Sequence, residues 1–214
     1  LTMMGGARLS MPRIPDLAFW KLCGSGTGEG FTPVPNTGVY AILCVWPDAD
    51  TARKRISETP IFNRYRKRAS EHWTVFLSPT SARGVWSGQR PFSPVSEPVS
   101  GPLAALTRAT IKPGVAAKFW RRVPDVSAMI GSDRNVLFKI GIGEVPMLHQ
   151  ITFSIWPGTT EMAAFARNNG PHAAAIQAVR DGAWFQEELY ARFAIVDDTG
   201  TWGGSSPLEG LKLS

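Results

Sequence analysis

Three histidines and two cysteines carry most of the chemistry that the side chains of this 214-residue chain offer. His172 stands in FARNNGPHAAAIQAVRDGAWF, residues 165–185, directly after a Gly-Pro pair that opens an alanine-rich helical run. Phe165, Ile176 and Val179 share its helical spacing, which puts His172 on a buried stripe facing a sheet. A buried imidazole has to satisfy its ring nitrogens. His149 lies on an alternating strand face with Ile151, Phe153 and Ile155, as a core residue or as the lining of a pocket. His72 starts a strand beside Trp73, where a structural hydrogen bond explains it. Cys23 and Cys44 are isolated thiols without metal or redox spacing, a usage typical of a reducing compartment. The chain has no Gly-x-Ser-x-Gly elbow, no His-Glu-x-x-His and no cysteine pair suited to zinc. Glu144 follows KIGIG at a hairpin, facing a pocket with Lys139 or simply the solvent.

The elements that must position these groups form an internal repeat. GVYAILCVWPDADTARKRI resembles HQITFSIWPGTTEMAAFA: a β-rich run, then Trp46-Pro47 or Trp156-Pro157, then a helix. Upstream, LAFWKLCGSGTGEG resembles NVLFKIGIGE and pairs Lys21 with Lys139. The second half reads as strand 103–112, a helix carrying Phe119 and Trp120, strands 136–142 and 148–156, a helix from Thr159, and strand 189–196. That order is β-α-β-β-α-β, the ferredoxin-like unit. The first half shows only the last four of these elements, with residues 1–10 as a helix remnant. A sheet without its opening strand has a raw edge, so the first repeat is expected to be shortened at its N-terminus. The predicted fold is α+β: two ferredoxin-like repeats facing each other as a dimeric-type α+β barrel within one chain. Residues 1–83 form the first repeat, 84–102 a Pro/Ser/Gly-rich linker, 103–196 the second repeat and 197–214 a tail.

The repeat sharpens the reading of His172. Its counterpart in the first half is Ile61 or Phe62, so the fold itself does not require a histidine there. A hydrogen-bonded core residue explains it; so does a neutral imidazole held against a haem iron in an apolar, aromatic-rich cleft. GSGTGEG, residues 24–30, has no Lys-Ser/Thr after it and no helix to open, which excludes a phosphate loop. It reads as an extended hairpin loop that rims a pocket.

Composition bounds the rest. Apolar content of 43% and charged content of 19% mark a globular chain. No apolar run approaches the roughly 18–20 residues of a membrane span. The net charge is +6, with Arg53, Lys54, Arg55, Arg64, Arg66, Lys67 and Arg68 on one expected helix. Such a run is a solvated face, or a surface for an acidic protein or anionic lipid. No nucleic-acid motif accompanies it.

Four long blocks carry a family resemblance: GTGEGFTPVPNTGVYAILCVWPD, SEHWTVFLSPTSARGVWSG, VLFKIGIGEVPMLHQITFSIWP and GPHAAAIQAVRDGAWFQEELYARF. Together they resemble the spheroidene monooxygenase family, the acyclic carotenoid 2-ketolases of purple photosynthetic bacteria. The resemblance implies an oxygen-dependent enzyme that places a keto group at C2 of spheroidene or a related linear carotenoid. It implies haem as cofactor and reduced ferredoxin as electron donor. By structural position it implies His172 as the iron ligand, with Phe165 and Ile176 beside the cofactor. His149, Lys139 and Arg83 are the candidates for assisting O–O cleavage. The expected location is the cytoplasm, with peripheral contact to the inner or photosynthetic membrane. A haem-dependent dehydratase or lyase, and a non-catalytic barrel binding haem or a hydrophobic ligand, are the alternatives.

Overall fold

A computed structural model describes residues 2–28, 30, 32–95, 101–121, 135–167 and 184–211. Helix α1 (Thr2–Ser10) leads through a single 3-10 turn into the hairpin of β1 (Phe19–Gly26) and β2 (Pro35–Val45). Helices α2 (Ala49–Glu58) and α3 (Pro60–Arg68) return to β3 (Trp73–Gly84). The second repeat runs β4 (Leu103–Ile111), α4 (Ala116–Trp120), β5 (Phe138–Gly143), β6 (His149–Trp156), α5 (Thr159–Arg167) and β7 (Phe185–Gly200).

The basic run is two helices and not one. Pro60 has no N–H to continue α2, and it drives Thr59 into an extended conformation (φ −76°, ψ 126°). Asp48 caps α2, its carboxylate accepting from Thr51 N at 2.7 Å, and these bonds hold the Asp48 carboxyl below its ordinary range. Arg53 pairs with Asp50 and Asp197, Arg55 with Asp16, and Arg66 donates to the Ile56 carbonyl. Lys54, Arg64, Lys67 and Arg68 stay exposed.

All seven strands join one antiparallel sheet in the order β2-β1-β5-β6-β4-β7-β3. Within it, β5-β6-β4-β7 is the strand order of a ferredoxin-like unit, as the sequence predicts. Val39 and Ala41 of β2 pack on the same buried cluster as Trp73, Val75 and Leu77 of β3, from the other end of the sheet. The sheet therefore curls until its two end strands share one interior, and the fold is the expected α+β barrel. In the second repeat β4 stands between β6 and β7. The corresponding place in the first repeat, between β2 and β3, holds no strand among the described residues.

Three apolar clusters hold the layers together. The interior cluster includes Phe19, Cys23, Leu106, Ile140, Ile151, Phe153 and Ile195. A second cluster packs α1, the 3-10 turn after it and α3 on the outer face of β1 and β2 through Ala7, Met11, Leu22, Ile61 and Phe62. A third packs α5 on the outer face of β4 and β6 through Leu103, Trp156 and Met162. Each such side chain contributes about 1.5–3 kcal/mol on leaving water.

The register corrects one sequence expectation. Phe19 pairs with Val45 just before Trp46-Pro47, and Phe138 pairs with Ile155 just before Trp156-Pro157. Lys21, opposite Leu43, is thus the counterpart of Ile140 and not of Lys139, which lies opposite Ser154. Strand side chains alternate between faces, so Lys21 points into the barrel and Lys139 to its outside.

Candidate functional site

Alternation along four strands, with a residue of the β5–β6 hairpin, sends a set of charges into one end of the barrel. Arg108 on β4 is 2% exposed. Glu144 at the β5–β6 hairpin, Lys21 on β1, His149 on β6 and Glu187 on β7 face it. Lys21 Nζ lies 3.1 Å from Glu144 Oε2. Glu144 Oε1 accepts from Trp86 Nε1 at 2.6 Å and stands 3.9 Å from Arg108 Nη2. Arg108 Nη1 bonds the Glu187 carboxylate. Glu144 therefore faces the barrel interior with Lys21 and Arg108, whereas Lys139 lies on the outer face. Two cations meet two carboxylates, so the buried group is balanced, as buried ions must be.

This charged group is sealed by a turn from the expected linker. Trp86 N donates to the Gln89 carbonyl at 2.8 Å, with Ser87 and Gly88 both at positive φ (54° and 72°). Positive φ at both central positions defines a type I′ turn. Glu187 accepts from Ser87 N and Gly88 N, each at 2.8 Å, and Lys21 Nζ donates to Ser87 Oγ at 2.6 Å. Trp86 is completely buried, edge-on to Phe19 and beneath Lys21 and Arg108. Trp86 and Phe92 of the expected linker thus belong to the core.

The opposite end repeats the device. Trp202 N donates to the Ser205 carbonyl, and Gly203 and Gly204 carry positive φ. Glu71 accepts from Gly203 N and Gly204 N at 2.8 Å. Each repeat's entry to its last strand, at Glu71 or Glu187, clamps the turn that leaves the other repeat's last strand. Here, however, Ile140 stands in the place of Lys21, and Trp202 remains 41% exposed.

The thiols are inert. Burial, reinforced by Glu144, pushes Cys23 far above its ordinary range, and burial pushes Cys44 up to about 12. Both remain protonated at neutral pH and are poor nucleophiles. His149 is 25% exposed, and its Nδ1 is buried without a hydrogen-bond partner, 3.8 Å from Glu144 Oε1. Desolvation lowers its pKa, against an opposing pull from Glu144. A base with a depressed folded pKa leaves the unfolded chain as the better proton acceptor. Stability should accordingly fall as pH drops below about 6.5, levelling once folded His149 takes its proton. Urea midpoints measured between pH 7.5 and 5.5 should drop less in His149→Gln than in the parent.

Of the described sequence-predicted residues, Lys139 and Phe165 share one face, whereas His149 and Arg83 lie apart from them. His149 lies inside the barrel, Lys139 on the outer face of the second repeat, and Arg83 is exposed over the Tyr190 ring. Phe165 packs on Trp156 at 5.1 Å, on the same outer face as Lys139. His172 and Ile176 lie outside the described residues. Among the described residues no group of three His, Cys, Asp or Glu is arranged to hold a metal ion, and no helix is long and apolar enough to cross a membrane.

The outer faces of the two repeats differ in depth. Where the first repeat carries Trp20, Leu22, Tyr40 and Ile42, the register puts Lys139, Gly141, Gln150 and Thr152 in the second. Large side chains that fill the helix–sheet layer in one repeat are small or polar in the other. Trp156 and Phe165 form the aromatic border of this face.

Fold and site define an α+β barrel of paired ferredoxin-like repeats, sealed by charge at one end and shallow-faced on its second repeat. The chain belongs to the spheroidene monooxygenase family. It is 53% identical over 211 residues to the spheroidene monooxygenase of Cereibacter sphaeroides, covering 97% of this chain and 65% of that protein's length. It is 51% identical to that of Rhodobacter capsulatus, covering 91% and 82%, and 35% identical to that of Rubrivivax gelatinosus, covering 89% and 73%. No family model matches. Among solved structures, a Fusobacterium nucleatum protein assigned as a monooxygenase is distantly similar, at 8% identity and a TM-score of 0.45 over 94% of this chain and 87% of that one.

Proposed function

We propose that this protein is a carotenoid monooxygenase that forms a ketone at C2 of spheroidene or a related acyclic carotenoid. The observation that carries this reading is identity above 50% to two proteins named spheroidene monooxygenase, along nearly the whole chain. Two hydroxylations at one methylene give a gem-diol, which loses water to leave the ketone. In each, one atom of O2 enters a C–H bond and the other is reduced to water by electrons from a donor, here reduced ferredoxin. No protein side chain activates oxygen against such a bond, so a cofactor supplies that chemistry when bound.

Haem suits the shallow outer face of the second repeat. His172 would hold it through its imidazole, with Phe165 and Ile176 beside it. Histidine ligation fits two thiols that burial keeps protonated. Of the three residues proposed to assist oxygen cleavage, Lys139 alone shares this face with Phe165. The exposed cations of α2 and α3 suit an acidic ferredoxin or an anionic lipid surface.

Protein purified from haem-replete cells should show a Soret band that His172→Ala abolishes, and should form the ketone only with O2 and a reductant. A preparation without haem, or an unchanged band in His172→Ala, overturns the ligand assignment. Turnover without O2 overturns the monooxygenase reading in favour of a lyase.

A further inference from the structure

Two seams join the repeats, and they are built differently. β3 and β7 pair continuously from Trp73↔Gly200 to Gly84↔Leu189 apart from two bulges. β1 and β5 pair only at Gly24↔Gly143 and Ser25↔Ile142. Past Ser25 these strands part, and a cavity of about 380 Å3 opens between them. We propose that this open seam is a binding slot for the oxygen-bearing end of an elongated apolar molecule. On the function proposed above, that molecule is the linear carotenoid and the slot receives its terminus.

The slot is preformed by main-chain contacts. Ser25 Oγ donates to the Gly141 carbonyl at 2.8 Å, and Thr27 N to the Val34 carbonyl at 2.9 Å. Gly30 has φ +88°, and a Cβ there would stand 1.8 Å from the Gly141 oxygen. Only glycine lets the loop come this close. Gly26 and Gly30 thus form part of the slot's wall, where a Cβ would meet the Thr32 or Gly141 carbonyl oxygen, which accounts for glycines that bind no phosphate.

Six apolar side chains line the slot beside Ser25, Asn36 and Lys139, and polar atoms make up the larger share of its exposed wall, which suits the polar end of an apolar molecule. The volume falls in the range of small-molecule sites, roughly 300–1,000 Å3. Val39, Phe138 and Ile140 belong to the interior cluster, whereas Val136 packs with the outer cluster around Trp156. The slot therefore leads from the barrel interior toward the shallow face of the second repeat. At about 30 Å3 per heavy atom it holds about a dozen atoms, enough for the end of a polyene but not for all of it. Trp202 forms its rim, edge-on to Phe138 at 5.5 Å. The repeat counterpart, Trp86, is buried against Lys21 and Glu144, so the fold does not demand an exposed tryptophan. Asn36 Oδ1 accepts from Gly38 N at 3.0 Å, which leaves the amide NH2 to donate to an ether, hydroxyl or keto oxygen.

Equilibrium binding to the detergent-dispersed protein tests the slot, with two probes: an acyclic carotenoid bearing a terminal tertiary methoxy group, and its all-hydrocarbon counterpart. Trp202→Ala should raise Kd about tenfold for both, the scale of one lost aromatic contact. Asn36→Leu should weaken the methoxy probe and leave the hydrocarbon unchanged. Val39→Trp should fill the slot and abolish binding, with the unfolding midpoint checking its fold. Should Val39→Trp fail to fold, the other two, at partly exposed positions, still decide. Parental binding with unchanged Kd in Trp202→Ala and Asn36→Leu overturns the slot and leaves the proposed activity standing. A parent that binds neither probe overturns the activity and the slot with it.

Discussion

Replacing Arg108 with methionine should destabilise the protein by about 3–5 kcal/mol, the cost of breaking a buried ion pair from one side. Arg108 is almost wholly enclosed. Without it, Glu187 keeps its two turn N–H donors, while Glu144 keeps Lys21 and Trp86. Two carboxylates would then share one lysine in a site largely shut off from water. The stacking of Arg108 over Trp86, 5.7 Å from its ring, is lost as well. Methionine restores volume but no charge, so the loss is electrostatic and not a cavity effect. Urea unfolding gives the number. The double variant Arg108→Met/Glu187→Gln should cost less than the sum of the singles by 1 kcal/mol or more, roughly, because the second change removes a charge the first left unpaired. A cost under about 1 kcal/mol for Arg108→Met alone would mean that the cluster is hydrated and that Trp86 does not seal it.

That cluster shows why part of the site was hidden in the sequence. Lys21, Arg108 and Glu187 sit on three strands and Glu144 in a hairpin, at no shared spacing, and only strand register and the curl of the sheet bring them together. The repeat itself was legible because Trp46-Pro47 and Trp156-Pro157 end equivalent strands. Aligning Lys21 with Lys139 failed by one residue, since identity of type drew the match while the pairing of Phe19 and Phe138 decided the face. The sequence holds a second echo, Gly84-x-Trp86-x-Gly88 and Gly200-x-Trp202-x-Gly204. The first lay in a stretch whose proline, serine and glycine suggested a linker, the second in what looked like a tail. Composition is a poor guide there, because a type I′ turn needs the same glycines as a flexible link. The open seam had one legible sign, the glycine-rich hairpin. The reason for its glycines is a close approach to Gly141 across more than a hundred residues, beyond the reach of any local pattern.

The paired turns also make the second large effect. Gly84→Ala should destabilise the protein by about 3 kcal/mol, combining strain and overlap. Gly84 has φ +99°, a region costly for any residue with a Cβ, and that Cβ would stand 2.1 Å from the Glu188 carbonyl oxygen. The contact is with the backbone of β7, held on both sides by β4 and β3, so no side chain can rotate away. Gly200 repeats the geometry at the other end, with φ +88° and a Cβ position 2.1 Å from the His72 oxygen. Gly200→Ala should therefore cost a similar amount. Gly203 separates the two contributions: its φ is +71°, but a Cβ there meets nothing within 4 Å. Gly203→Ala should cost only about 1 kcal/mol, the left-handed penalty alone. Urea midpoints of the three variants decide the matter. If Gly84→Ala costs no more than Gly203→Ala, then β3 and β7 are not locked together at their ends. In that case the closed seam could part as the open one does, and the contrast that marks the β1–β5 slot as a binding site would be lost.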